Sequence, residues 1–381
     1  MNRWGTWCIP IILLAAAMSH AQVSDLKLSV TAPDMGLFGL MRPGVWMPIR
    51  ATLENNAAEV RHLRVQWVMP DVDGDQVLSQ RAVSVPAQDR MTVWLYGVPR
   101  HGRVKYDWRI NLVDDDTGEL LSSEPITLPD GQVVPHHERV IALTEHRPLG
   151  LQYYESRFDN DRRHNLGLVT QQEAVRLIRF VDPGALPDRW YGLSLLHSLV
   201  WTPDAGDPGA LAPDTARALR QWVRRGGHLV IVLKPYGDLW SSSQLGALIP
   251  ATGTETVTDQ RLPSWMGADQ PIVTDMRVFE PRGDTTAVLR DEQGRAIVVA
   301  GAYGFGRVTL VGIDLTSAEL IRAGVPRHPD FWGKIYNWQS ELHEDRLIES
   351  MLDRQTWTAS NRPSFSDYGV TWLERYFGRW L

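Results

Sequence analysis

The chain of 381 residues has one cysteine, Cys8. A lone thiol excludes a disulfide framework and a cysteine metal cluster, and because Cys8 lies in the leader described next, the mature chain has no thiolate nucleophile. A long apolar run is also missing. The longest, Ile9 to Met18 in "MNRWGTWCIPIILLAAAMSHA", falls well short of the roughly 20 residues that span a bilayer. No basic run interrupts a chain of formal charge −6, so the electrostatic footprint of a nucleic-acid or anionic-membrane binder is absent. The sequence has no Gly-x-Ser-x-Gly, which removes the serine-hydrolase elbow.

What is present at the start is a single basic residue, Arg3, the short apolar run, and small residues at Ser19 and Ala21. This is the pattern of a secretory signal peptide over 1–21, cleaved near Ala21, which predicts an extracytoplasmic protein, in the bacterial periplasm or secreted. Cys8 precedes the apolar run and so cannot be a lipidation site. A chain of this length buries enough surface to fold without disulfides and is expected to divide into two domains.

From 22 to 132 the chain runs in short segments of alternating polarity. In "LRVQWV", Leu63, Val65 and Trp67 fall on one face, and Asn55-Asn56 and Asp116 to Gly118 supply turns. Strands at about ten-residue spacing predict an antiparallel β-sandwich of immunoglobulin-like type, with Trp67 packed without a disulfide beside it. "LPDGQVVPHHER" reads as a linker. The rhythm then changes. "RVIALTEH", "LHSLVWTPDAGD" and "HLVIVLKPYGD" are apolar on both faces, as strands of a covered parallel sheet are. Between the last two, "APDTARALRQWVRRGG" reads as a helix starting at Pro213 or Asp214 and stopped by Gly226-Gly227. "SSSQLGALIP" reads as a short helix. In "GAYGFGRVTL", glycines 301, 304 and 306 fit a tight hairpin, and because another strand follows, the loop is not a phosphate cradle. An α/β domain is therefore expected over 137–325 and a partly helical, aromatic-rich tail over 326–381. The tail's end, "YGVTWLERYFGRWL", is open to three placements: on the protein, on a partner, or at a membrane surface.

"SLVWTPDAGDPGALAPDTARALRQWVRRGGHLVIVL" and "AYGFGRVTLVGIDLTS" resemble the class I glutamine amidotransferase-like superfamily, in particular the non-catalytic versions that follow a β-sandwich in bacterial envelope proteins. The resemblance implies a flavodoxin-like parallel sheet. Active members carry a cysteine on the turn after the strand corresponding to "HLVIVL" and a His-x-Glu pair after a later strand. Here Lys234 and Pro235 stand near the nucleophile position, and "VTLVGIDLTS" has no histidine. An activated nucleophile with a base in reach is what acyl transfer requires.

Ligands in open α/β sheets bind at the carboxyl ends of the strands. The polar residues following those expected ends, Glu145, His146, Asp204, Asp207, Lys234, Asp238 and Asp314, are the candidate ligand-binding set. Polar strand ends also arise simply because turns meet water. No cofactor and no resident metal are expected. "PHHER" (His136, His137) reads as a solvated linker, and "DVDGDQ" (Asp71 to Gln76) as a hairpin turn lacking the downstream glutamate of a calcium loop. The expected function is non-enzymatic binding or assembly with a protein partner in the envelope. The alternative is a hydrolase or metal-dependent enzyme working through the strand-end acids.

Overall fold

The computed structural model describes residues 25–71, 73–99, 108–127, 131–136, 138–155, 175–180, 182–237, 239–251, 253–262, 272–281, 283–323, 326 and 329–336. Its first part holds β1 (Leu26–Ser29), β2 (Met47–Asn55), β3 (Arg61–Pro70), β4 (Gln76–Val85), β5 (Asp89–Gly97), β6 (Trp108–Asp114) and β7 (Leu120–Ile126). They form two antiparallel sheets, β1-β2-β5 and β4-β3-β6-β7. Period-two alternation explains their shared core. Ile49, Ala51 and Leu53 of β2 and Leu63, Val65 and Trp67 of β3 all point inward and are fully buried. Trp67 packs edge-on against Trp108 at 5.7 Å.

The second part holds β8 (Arg139–Leu143), β9 (Val175–Arg179), β10 (Leu196–Trp201), β11 (His228–Val232), β12 (Gly253–Arg261), β13 (Val273–Phe279), β14 (Thr285–Arg290), β15 (Ala296–Tyr303) and β16 (Gly306–Val311). Among the described residues three α-helices accompany them: α1 (Pro213–Arg224), α2 (Ala318–Ala323) and α3 (Pro329–Tyr336). The strands make one mixed sheet in the order β12-β13-β15-β16-β11-β10-β8-β9, with β14 beside β15. β16, β11, β10, β8 and β9 run parallel to one another, whereas β12 to β15 pair antiparallel.

This arrangement overturns the expected fold class. The protein is predominantly β, with antiparallel sheets and a mixed sheet, so an immunoglobulin-like sandwich followed by a flavodoxin-like parallel-sheet domain does not describe it. Two physical reasons stand out. The chain from β11 to β16 returns through four antiparallel strands where a doubly wound domain uses a helix, because 253–303 is rich in β-branched residues that extend the sheet. And the first part is not a self-contained sandwich: Leu37 leaves its sheets for the core of the mixed sheet, where Phe38 and Leu40 pack beside it. Phe38 stacks on Phe180 at 4.3 Å. "SSSQLGALIP" yields only a 3-10 turn over Gly246–Leu248. The tail beyond Tyr336, including "ELHEDRLIESMLDRQ" and the aromatic end, lies outside the described residues.

α1 forms where its pattern places it. Pro213 opens the first turn, Asp214 complements the helix dipole, and Ala216, Leu219, Trp222 and Val223 face the sheet. Gly226 ends it at φ +119°. The opposite face of the mixed sheet is covered by α3, whose Phe331, Trp332, Ile335 and Tyr336 are buried.

Beneath Tyr336 lies His228, buried, with Nε2 2.8 Å from Thr309 Oγ1 and its ring edge-on to Tyr336 at 5.4 Å. Burial, reinforced by the charges of Arg307 and His197, pushes its pKa down from 6.5 to about 3. The folded state thus refuses a proton that the unfolded chain takes up. The stability held above pH 6.5 is expected to fall as pH drops towards 3, with a limiting slope of about 1.4 kcal/mol per pH unit. Burial likewise pushes His197 down to about 4, so urea unfolding at pH 4.5 to 7 should show at least this slope, and His228→Asn should lower it by the His228 share. Equal slopes in the two proteins would count against the assignment.

Candidate functional site at the carboxyl rim

The parallel strands end together at one rim, and three of the sequence-predicted residues meet there. Glu145, just after β8, is buried and accepts bonds from Arg147 Nη2 (3.1 Å), Nε (3.2 Å) and N (3.2 Å). Burial alone would raise its pKa, but the hydrogen bonds and charge of Arg147 outweigh this and hold it below the usual value. Asp204, after β10, is exposed and lies 3.7 Å from the same guanidinium. Asp314, after β16, adds to the negative field around Arg147, while its own carboxylate accepts from Thr316 N and Oγ1. Arg147, which sequence reasoning passed over, occupies the place where a cation would sit. Among the described residues no group of three His, Cys, Asp or Glu side chains is placed to hold a metal ion.

The remaining candidates are not brought to this cluster. Asp207 caps its own turn through Gly209 N at 2.7 Å. His146 is exposed, and its carbonyl accepts from Arg179. Lys234 stands on the turn after β11, and Asp238 lies outside the described residues.

That turn, "LKPYG", is held by the antiparallel strands that lie between β11 and β16 in the chain. Arg277 of β13, itself buried, donates Nη2 to the carbonyls of Pro235 (3.2 Å) and Gly237. Thr256 of β12 donates Oγ1 to Pro235 O at 2.7 Å. Tyr236 OH donates to Asp275 Oδ2 at 2.9 Å, and this bond to a carboxylate raises the phenol's pKa. Gly237 takes φ +81°, which a side chain would resist. Carbonyls, not N–H groups, are fixed here, and they are spent on an internal guanidinium. Arg277→Met is expected to remove the donor from the Gly237 carbonyl and leave Pro235 O with Thr256 alone, at a cost of about 1–3 kcal/mol. Amide exchange over 233–239 should then accelerate selectively, and unchanged exchange would show that the clamp does not hold the turn.

Beside the turn opens a cleft between the ends of β10 and β11. Trp201 and Trp240, edge to face at 5.2 Å, form its floor with Pro203 and Pro208, and Lys234 stands at its mouth. Tyr236 (59% exposed) and Leu239 (57% exposed) form an apolar lip. The room inside is about 90 Å³, far below the roughly 300–1,000 Å³ of ordinary small-molecule sites. The enclosed part is of the size of one side chain. None of its aromatic residues was singled out from sequence, because a tryptophan at a strand end has the same pattern as one inside the core.

A family model for a domain of unknown function (DUF8726) matches residues 27–129. A search of curated proteins finds no match. Among solved structures, the exo-β-1,4-mannosidase Op5Man5 from Opitutaceae bacterium strain TAV5 is similar at 18% identity and TM-score 0.29, over 52% of this chain and 34% of that one. The alkylpurine DNA glycosylase AlkC from Pseudomonas fluorescens is similar at 19% identity and TM-score 0.19, over 28% of this chain and 30% of that one. A β-glucosidase from Listeria innocua is similar at 11% identity and TM-score 0.21, over 28% of this chain and 16% of that one. This chain therefore spans about a third or less of each of these proteins, and likenesses at these TM-scores carry no inference about fold or activity.

Proposed function

We propose that this is an exported, non-enzymatic binding or assembly protein of the bacterial envelope, and that it docks a partner protein at the carboxyl-rim cleft. The observation that carries the reading is the lip of that cleft. Tyr236 and Leu239 expose more than half their surface beside an opening the size of one side chain, and aromatic and aliphatic residues around a small pocket are the anatomy of a protein interface centre. Two further features support it. The turn after β11 carries Lys234 and Pro235 and is tied down by Arg277. The acids of the rim are engaged by Arg147. The leader-like first 21 residues support export.

A photo-crosslinking residue placed at Tyr236 tests this in intact envelopes. A discrete adduct that disappears when Leu239→Asp is added, while a probe on the outer strand β7 gives none, is the expected result. Adducts unaffected by Leu239→Asp, or no adduct at all, would defeat the reading. Mass spectrometry of the exported form should find Gln22 at its start.

A further inference from the structure

At the amino end of the parallel strands, opposite the cleft, the β15–β16 turn "YGFGR" projects Phe305, 94% exposed and more open than any other large apolar side chain among the described residues. One exposed apolar residue is ordinary, but this one is rigidly presented. Its N–H donates to Arg224 O at 2.9 Å. A Cβ on Gly304 would lie 2.5 Å from Arg224 O, and one on Gly306 would lie 1.8 Å from Val223 O, so the two glycines let the turn press on the end of α1 and leave Phe305 standing out from it. The fold also gathers arginines here from separate stretches of sequence, none of them a basic run. Arg224 and Arg225 end α1 and are exposed, Arg307 follows the turn partly buried, and Arg189 precedes Trp190. Among the described residues none of these four guanidiniums pairs with a carboxylate: Arg189 donates to a backbone carbonyl, and Arg225 lies over the Trp190 ring at 4.2 Å. Burial with no acid to offset it lowers the pKa of Arg307. Asp188 is engaged by Tyr96 and Arg81, and Asp284, ahead of β14, stands on the side of β15 away from β16. From Trp190 the aromatic surface continues through Tyr191, at 5.6 Å, to Trp46, 4.8 Å beyond and 42% exposed.

We infer that this end of the protein binds an anionic lipid surface, with Phe305 inserted among the headgroups and the arginines on their phosphates. Guanidiniums that lack a carboxylate partner are free to take phosphate oxygens in their planar fork. Tryptophan and tyrosine, apolar with one polar edge, are the side chains that settle at headgroup depth. The shape decides for lipid over protein: a convex tip enters a deformable surface directly, whereas a folded partner would have to supply a pocket for the ring. The contact inserts one ring and neutralises a few charges, so it is peripheral and reversible. It lies at the opposite end of the strands from the cleft and stands or falls independently of the docking reading.

Flotation of the full chain with phosphatidylcholine vesicles at millimolar lipid, with and without phosphatidylglycerol, tests it. The wild type is expected to float with the anionic vesicles only, and added salt should release it. Arg224→Glu and Arg225→Glu should each weaken binding at least about fivefold, the effect of one basic residue at such a surface. Phe305→Ser should weaken it about tenfold through the lost apolar contact. Arg90→Glu, an exposed arginine at the start of β5, is the control for net charge and should change binding less than about twofold. Inorganic phosphate at the same concentration should not compete. All four variants alter exposed side chains, and an unchanged urea midpoint shows that each is folded. Failure to float with anionic vesicles, equal binding to phosphatidylcholine alone, or an equal loss in Arg90→Glu would overturn the inference. So would binding indifferent to Phe305→Ser, or full competition by phosphate, because the surface would then be a site for anions in general and not for a membrane.

Discussion

Gly306→Ala is expected to destabilise the fold by about 4–5 kcal/mol or prevent folding, at the extreme of what single substitutions do. Gly306 begins β16 directly against the end of α1. A Cβ there would lie 1.8 Å from Val223 O and 2.4 Å from Gly227 O, and both obstacles are backbone, so no rotamer change relieves them. Moving β16 away would break its parallel pairing with β11, from His228↔Arg307 to Val232↔Val311, in the middle of the sheet. Phe305→Ala, one residue earlier and exposed, is the control and should leave stability within about 0.5 kcal/mol. Chemical denaturation of the two variants decides the matter. A Gly306→Ala protein as stable as its neighbour variant would mean that α1 and β16 are not in this contact.

Trp332→Ala should cost about 3–5 kcal/mol, the usual range for deleting a buried aromatic side chain. Trp332 is fully buried, stacks with Tyr336 at 5.8 Å, meets Phe331 edge-on at 5.1 Å, and donates Nε1 to Leu149 O at 2.7 Å. Its loss leaves a cavity between α3 and the sheet and a buried carbonyl without its donor. Because Leu149 follows the Glu145–Arg147 pair in the same loop, the variant should also loosen the carboxyl rim, seen as faster amide exchange at 145–151. Trp332→Phe, which keeps an aromatic ring but loses the pyrrole half of the indole and its N–H, should recover more than half of the stability. A loss below about 1 kcal/mol for the alanine variant would show that α3 is not docked through this residue.

The local readings from sequence fared differently from the global one. α1 was legible because every signal agreed: proline at the start, apolar residues three and four apart, and a glycine pair at the end. The hairpin at Gly304 was legible for the same reason, its φ of +64° being one that glycine adopts freely. The fold class was not legible. Apolar runs such as "RVIAL" and "HLVIV" report burial on both faces but not how many strands flank them, and the antiparallel insertion of β12 and β13 carries mixed polar residues with no strong period. That Leu37 and Phe38 serve the core of the other sheet was hidden as well, since a turn with two apolar residues does not say which core it enters.

The site shows the same limit in chemical terms. Strand-end carboxylates can be found by inspection, and Glu145, Asp204 and Asp314 do face a common point. What occupies that point is Arg147, two residues from Glu145, and only the folded loop brings it back. Arg277 was invisible for a related reason: its partners are the carbonyls of Pro235 and Gly237, roughly forty residues away, and backbone carbonyls leave no mark on a sequence.

The central claim is that the turn after β11 is a fixed structural element beside a docking cleft and performs no covalent chemistry. Turnover of a panel of amide and ester substrates by the wild type and by Lys234→Met is the most direct test. Both proteins are expected to hydrolyse nothing above the uncatalysed rate. Hydrolysis by the wild type that the Lys234→Met change abolishes, in a variant of unchanged stability, would contradict it.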